Sequence, residues 1–226
     1  MDALNSSRYF ADPAVAKFVD HVQSGDVARV KQDLAGGISP NAQGSDGFRP
    51  IHFVFVAPKA DVLRELLLAG ADPNARLVNG NPPLEFAVRM SNPDFTAALL
   101  AARADPNARG ENNSPVIHTA IAYPTIRNVE LLVKAGADIN VVWGGNTPLM
   151  VAVTAFKWEM AAALLKLNAD VAWKNDIGKG AVERFCRHLN GLPVTTQNKP
   201  STSALVDAFV ARGVVLPCAA DAARFR

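Results

Sequence analysis

Proton transfer and metal binding need aspartate, glutamate, histidine or cysteine side chains brought together, and this 226-residue sequence offers several. Asp72, Asp105 and Asp138 stand 33 residues apart, and His52 and His118 stand 66 apart. A carboxylate beside an imidazole would make a general acid–base pair or half of a zinc site. Recurrence argues otherwise. A reaction needs its pair once, whereas a residue repeated at fixed spacing answers a demand that the backbone makes in every copy. The three aspartates are therefore expected to be helix-end and turn residues. His21 and His188 lie near the two ends, too remote in sequence to suggest a cluster. Neither a metal site nor a cofactor site is expected.

Motifs with a strong chemical signature are missing as well. The sequence has no GxSxG nucleophile elbow, no phosphate-binding loop, no HExxH and no glycine-rich dinucleotide fingerprint. The GKG at Gly178 to Gly180 lacks the following Ser or Thr and reads as a turn. Cys186 and Cys218 are too few for a disulfide scaffold and too far apart for a zinc knuckle. Two readings of them stand. They are small apolar residues, or they form a disulfide that ties down the C-terminal end and needs an oxidising compartment. No catalytic residue is assigned, so the chain is expected not to be an enzyme.

The elements that carry these residues follow from composition and repetition. Lys and Arg number 23 against 21 Asp and Glu, a net charge of +2, which argues against an electrostatic nucleic-acid binder. An apolar fraction of 49% with 19% charged residues predicts a folded chain with a core. The longest apolar runs, at Phe53 to Ala57 and from Leu66, fall well short of a membrane span. The opening MDALNSS shows no basic region followed by an apolar stretch. A periplasmic location is expected if an export signal has been removed, and a cytoplasmic one otherwise.

The strings GISPN, GADPN, RADPN and GADIN end at Asn41, Asn74, Asn107 and Asn140, at a constant spacing of 33, and a weaker copy, NADVA, ends at Ala172. A second string keeps step with the first: RPIH with His52, PPLE with Glu85, VIH with His118, TPLM with Met150 and AVE with Glu183. Between them apolar residues fall at helical spacing, as at Leu63, Leu66 and Leu67, with Leu99 and Leu100, Leu132 and Val133, and Leu164 and Leu165 as equivalents. Gly47, Gly80, Asn113, Gly145 and Gly178 stand in register where units join, the residue types that tolerate a left-handed turn. Each unit is therefore two short helices and a projecting hairpin-like finger.

This pattern resembles the ankyrin repeat, through TPLH-like and GADPN-like signatures in register over about residues 9–216. The resemblance implies an all-α repeat solenoid of about six units, at 9–41, 42–74, 75–107, 108–140, 141–172 and 173–216, with tails at 1–8 and 217–226. It also implies that His52 and His118 pack and hydrogen-bond between neighbouring units. The ends depart from the pattern as caps do. Asp12 and Pro13 suit helix-start positions, and Asp33 takes a slot that is Leu in later units, so one face of the first pair stays wet. In the last unit Phe209 and Val210 take the paired-Leu slots, and the excess length falls in a polar loop inserted at 190–202, itself a candidate contact.

The surface such solenoids present is the concave side, built from finger tips and the first helix of each pair. By register it carries Phe48, Arg49, Arg76, Val78, Arg89, Met90, Arg109, Glu111, Tyr123, Trp143 and Trp173. Four aromatics and four arginines suit a protein-binding surface. Trp143 lies in the finger that is one residue short. It is either an exposed anchor or folded back on the neighbouring finger. Arg76 and Arg109 are either solvated or a basic stripe facing an acidic partner.

A second resemblance concerns the opening YFADPAV, Tyr9 to Val15, and the interrupted last helix pair. Together they look like bacterial ankyrin proteins encoded beside phospholipase toxins of the type VI secretion system, immunity proteins that bind and block the toxin, usually in the periplasm. The partner implied is a secreted phospholipase toxin and the free protein is expected to be monomeric. An intracellular scaffold or host-directed effector would use the same surface.

Overall fold

Proline starts the first helix of four pairs and a left-handed residue stops many of the second helices. The computed structural model describes residues 5–225 apart from 191, and it divides into two compact blocks, Met1–Thr119 and Ala120–Arg226. The first block holds α1 Pro13–Ser24, α2 Val27–Ala35, α3 Pro50–Phe53, α4 Ala60–Leu68, α5 Pro83–Ala87 and α6 Asp94–Ala101. The division falls inside α7, Val116–Ala122. The second block continues with α8 Ile126–Lys134, α9 Pro148–Thr154, α10 Trp158–Lys166, α11 Ala181–Leu189, α12 Lys199–Ala211 and α13 Ala219–Ala223. Among the described residues the extended structure is limited to three isolated bridges at finger bases. This is the ankyrin-repeat solenoid fold.

Pro13, Pro50, Pro83 and Pro148 occupy the first helical turn, where a missing N–H costs nothing because that donor would have no partner within the helix. Asp12 caps α1 by accepting from Ala14 N–H at 2.8 Å. In the first block α1 packs on α3, α2 on α4 and α4 on α6; in the second α10 packs on α9 and α12, and α11 on α9 and α13. The Leu pairs set the depth of this packing. Leu66, Leu99, Leu132 and Leu164 are fully buried, and of their successors only Leu165 is buried as deeply.

The recurrent aspartates and asparagines are structural. Asp72, Asp105, Asp138 and Asp170 each accept from the N–H two residues ahead, at 2.8–2.9 Å, which closes a turn. Asn41, Asn74 and Asn140 in turn accept from the N–H of Asp72, Asp105 and Asp170, one repeat later, at 2.7–2.8 Å. The same amides of Asn41 and Asn74 donate to the carbonyls of Gly70 and Arg103, which end the next repeat's second helix. Gly70 and Gly136 sit at φ 87° and 99°, and Arg103 holds the equivalent left-handed position at φ 69°.

Both ends are more built than tails. Residues 1–4 lie outside the described part. Asn5 caps a short 3-10 turn, Ser6–Arg8, and Phe10 is buried. The Tyr9 ring lies tilted against Phe48, centroids 4.6 Å apart, and the Tyr9 carbonyl accepts from Ser45 N–H at 2.9 Å, so the YFADPAV segment packs on the first finger. Asp33, in its Leu slot, meets His21 Nδ1 at 2.6 Å. The expected tail from 217 instead folds as α13, with Ala222 and Phe225 buried. Cys186 on α11 is bonded to Cys218 ahead of α13, which decides between the two readings of the cysteines.

The loop expected over 190–202 ends at Asn198, and Lys199 to Thr202 are the first turn of α12. Its prolines suggested continuous loop, but Pro200 lies within that first turn, where proline starts a helix rather than breaking one. Thr195 and Asn198 exchange side-chain to backbone bonds at 2.9 and 3.1 Å and shape the entry.

Two changes test these supports. Arg103→Gly relieves a left-handed arginine and is expected to raise stability by up to about 1 kcal/mol in urea unfolding. The pair Cys186→Ser and Cys218→Ser is expected to cost about 2–4 kcal/mol and to speed amide exchange over 219–225, whereas unchanged exchange there would mean that the bond holds nothing in place.

Candidate protein-binding surface

The fingers of the first block are closed turns before they are a surface. Gly44 N–H donates to Phe48 O, Leu77 N–H to Asn81 O and Gly110 N–H to Ser114 O, at 2.8–3.1 Å. Positive φ at Asp46 and Gly47, at Gly80, and at Asn112 and Asn113 turns the chain between those bonds. Neighbouring fingers are then bonded together: Val78 N–H donates to Asp46 O at 2.9 Å, and Glu111 N–H to the Asn81 side chain at 2.7 Å. Gly47 permits the close approach, since a Cβ there would lie 2.7 Å from Arg76 O.

Arg76 and Arg109 do line up on adjacent fingers, with a bracing role. Arg76 donates to Gly80 O in its own finger and to Arg109 O in the next, and Arg109 donates to Asn113 O in its own. Their guanidinium groups hold neutral carbonyls, which braces the fingers and leaves both positive charges in place. Phe48 is half-buried among Tyr9, Phe53 and His52. Arg49 reaches Asp72 at 3.5 Å, and Arg89 pairs with Glu85 at 2.6 Å. Glu85 is buried and also accepts from Thr119 Oγ1 at 2.9 Å, so Arg89 is the counter-charge of an interior carboxylate. Met90 is half-buried. Val78, 79% exposed, and the exposed Glu111 stand out from this braced ribbon.

His52 shows what the repeated histidine does. Its Nδ1 accepts from Arg49 N–H at 3.0 Å, and its Nε2 therefore carries the proton donated to Ala75 O of the next repeat, also 3.0 Å away. Burial lowers its pKa, the carbonyl bonds from Ala75 and Arg49 oppose that, and Arg49 and Asp72 add smaller opposed effects. His118 is buried in the corresponding slot. Among the described residues no group of three or more His, Cys, Asp or Glu could hold a metal ion.

In the second block the short finger is a two-residue hairpin. Trp143 and Asn146 exchange backbone bonds at 3.0 and 3.1 Å, and Gly144 and Gly145 both have positive φ, as a type I′ turn requires. Trp143 is 40% exposed beside Val142 at 44%, so the indole stays partly in solvent. Trp173 is half-buried. Tyr123 is half-buried in a shallow cleft with Lys157, Trp158 and Phe156.

Several exposed residues here escaped the register argument. Ile177, 72% exposed, tips the finger that was read only as a turn. Phe156, 54% exposed, stands at φ 58° with its ring 4.2 Å from His188. Arg184 and Arg187 share α11 with His188 and face Lys179 of the preceding finger. The signal lay in the RFCRHL string, whose 184, 187 and 188 spacing puts three basic-type residues on one helix face.

Comparison with known proteins agrees with this architecture. Residues 79–111 and 144–176 match the ankyrin repeat family. The structure is similar to the ankyrin repeat domain of Bcl-3, described as a unique member of the IkappaB protein family, with 25% identity and a TM-score of 0.71 over 84% of this chain and 85% of that one. In all, 469 solved chains match significantly. No curated protein matches the sequence significantly. No catalytic family is indicated, and the fold is typically a non-catalytic scaffold that binds other proteins.

Because the folded-state pKa of His52 lies below its unfolded value near 6.5, the unfolded chain binds the proton more readily. Stability is expected to be full above that value and to fall as pH drops from 7.5 towards 5. His188, also lowered by burial and then by Arg187 and Arg184, adds to the same slope. Urea midpoints across that range check this, and His52→Gln should flatten part of the slope; an unchanged slope would clear His52.

Proposed function

We propose that this chain is a non-catalytic protein-binding module that grips its partner with finger tips and first-helix faces. The observation that carries this is the bonded finger ribbon, in which Val78 is held in solvent on turns that Arg76, Arg109 and Asn81 brace. A preformed surface loses little entropy on binding, so exposed apolar side chains on it convert contact into affinity. Trp143, on its own hairpin, is the same device in the second block.

The specific role we assign is immunity: the partner is a secreted bacterial toxin of phospholipase type, held in the periplasm by a monomeric protein. Two features support it. The Cys186–Cys218 bond suits an oxidising compartment. The YFADPAV segment, which carried the resemblance to such proteins, is ordered against the first finger. Blocking a lethal enzyme calls for nanomolar binding, about −12 kcal/mol, which interfaces of roughly 1,600 Å² reach. An intracellular scaffold or host-directed effector would use the same surface with free thiols.

Purification of the tagged protein from fractionated native cells tests the role: a stoichiometric secreted lipase-like enzyme in the periplasmic fraction is expected, and a cytosolic regulatory partner would replace immunity with scaffolding. For the surface, Trp143→Ala and Val78→Asp are each expected to weaken the recovered complex about tenfold or more, about 1.4 kcal/mol, with thermal unfolding unchanged. Full affinity in both variants would remove the finger surface from the interface. Reversing Arg76 and Arg109 is the poorer test, because it would also loosen the fingers.

A further inference from the structure

The last repeat presents an uncompensated positive groove. Arg184 and Arg187 on α11 and Lys179 on the preceding finger line it, together with Thr154, Ile177 and His188. Among the described residues none of those three cations makes an ion pair. The nearby carboxylate Glu183 is taken by Lys174 at 2.6 Å and by Gly180 N–H at 3.0 Å, and Asp176 is exposed on the finger but does not line the groove. Arg184 donates to Thr154 Oγ1 at 2.8 Å, a neutral partner that fixes the guanidinium in place without cancelling its charge. Burial and the neighbouring Arg187 both make it harder for Arg184 to carry its proton, so its charge is kept against a local cost.

Apolar side chains flank the charges. Ile177 stands exposed on the finger side. Phe156 does not line the groove but adjoins it through His188, its ring centroid 4.2 Å away, and stands 5.4 Å from Trp158 in the neighbouring Tyr123 cleft. Phe156 holds a left-handed backbone conformation that bulky residues rarely adopt, and that strain presents its ring to solvent. Cations beside exposed apolar side chains, with Arg184 held in place, match a peptide in which acidic residues are interspersed with aromatic or aliphatic ones. A phosphate backbone would use the charges and leave Phe156 and Ile177 without contacts, and an anionic bilayer, which also takes up exposed apolar side chains at its interface, is the competing occupant that the vesicle titration measures.

We propose that this groove is the docking site for an acidic, aromatic-bearing segment of the protein partner, with carboxylates on Lys179, Arg184 and Arg187 and an apolar side chain against Phe156 or Ile177. It names the partner chemistry of the binding module above and rests on that reading.

The probe is a fluorescein-labelled dodecapeptide of Glu and Phe, titrated into the full, disulfide-bonded chain beside an all-Glu peptide, a Lys/Phe peptide, vesicles of anionic phospholipid and duplex DNA. The Glu/Phe peptide is expected to bind best, and to weaken at least tenfold both between 50 and 300 mM salt and in Arg184→Glu/Arg187→Glu. Lys179→Glu/Arg187→Glu, which leaves the Arg184 bond to Thr154 in place, is expected to do the same, so a misfolded first variant does not decide the matter. Phe156→Ser combined with Ile177→Ser should erase the advantage of Glu/Phe over all-Glu, and an advantage kept in full would overturn the apolar half of the site. Undiminished binding by both charge-reversed variants, equal binding of the Lys/Phe peptide, tighter binding to vesicles or DNA, or no binding of the Glu/Phe peptide would each overturn the site. Failure of the protein-binding reading looks different: the full chain then recovers no stoichiometric protein partner, whatever the peptide does.

Discussion

Much of the regular structure depends on one side-chain amide. Asn41, Asn74 and Asn140 each close their repeat by accepting from an N–H in the next, and the first two also donate to a carbonyl at the end of the next second helix. Both backbone groups belong to helix ends and turns, where the chain has no partner of its own to offer. Solenoids store their stability in nearest-neighbour interfaces, so a bond that fixes one repeat's spacing on the next fixes the register of the buried Leu66 and Leu99 as well. His52 repeats the strategy from the other side, reaching Ala75 O through its Nε2.

The braced fingers follow from the same logic. Arg76 answers a carbonyl one repeat on, and Asn81 answers the N–H of Glu111. Side chains that look like recognition residues by type are therefore divided between holding the surface and being the surface. Phe48, Arg49, Arg89 and Arg109 have structural partners, while Val78 and Trp143 project to solvent.

That division explains what the sequence could and could not reveal. Period, helix pairs, finger positions and the structural role of the recurring Asp and His residues were legible because each repeats, and repetition converts a weak local signal into a strong one. What occurs once was hidden. The choice between the two readings of Cys186 and Cys218, the helix at 219–223 and the early start of α12 all concern the last repeat, where no other copy supplies a comparison. The His21–Asp33 contact joins two residues that look unrelated until α1 and α2 are packed together. Phe156 and the cations of α11 went unseen for a further reason: exposure is a property of the assembled pair, and residue type alone does not state it.

The asparagine bond also bears on how such a chain changes length. Asp72 and Asp105 present the same N–H to Asn41 and Asn74, each from a residue that closes the same turn. Excising 33 consecutive residues here sets Asn41 before Asp105 whether the cut begins at 42 or at 50, and the Asn41 side-chain oxygen meets an equivalent N–H. Removing 32 or 34 leaves it facing the wrong residue. The heritable module is thus a distance along the chain rather than a segment with natural borders, and recombination need not find a boundary to add or delete a repeat.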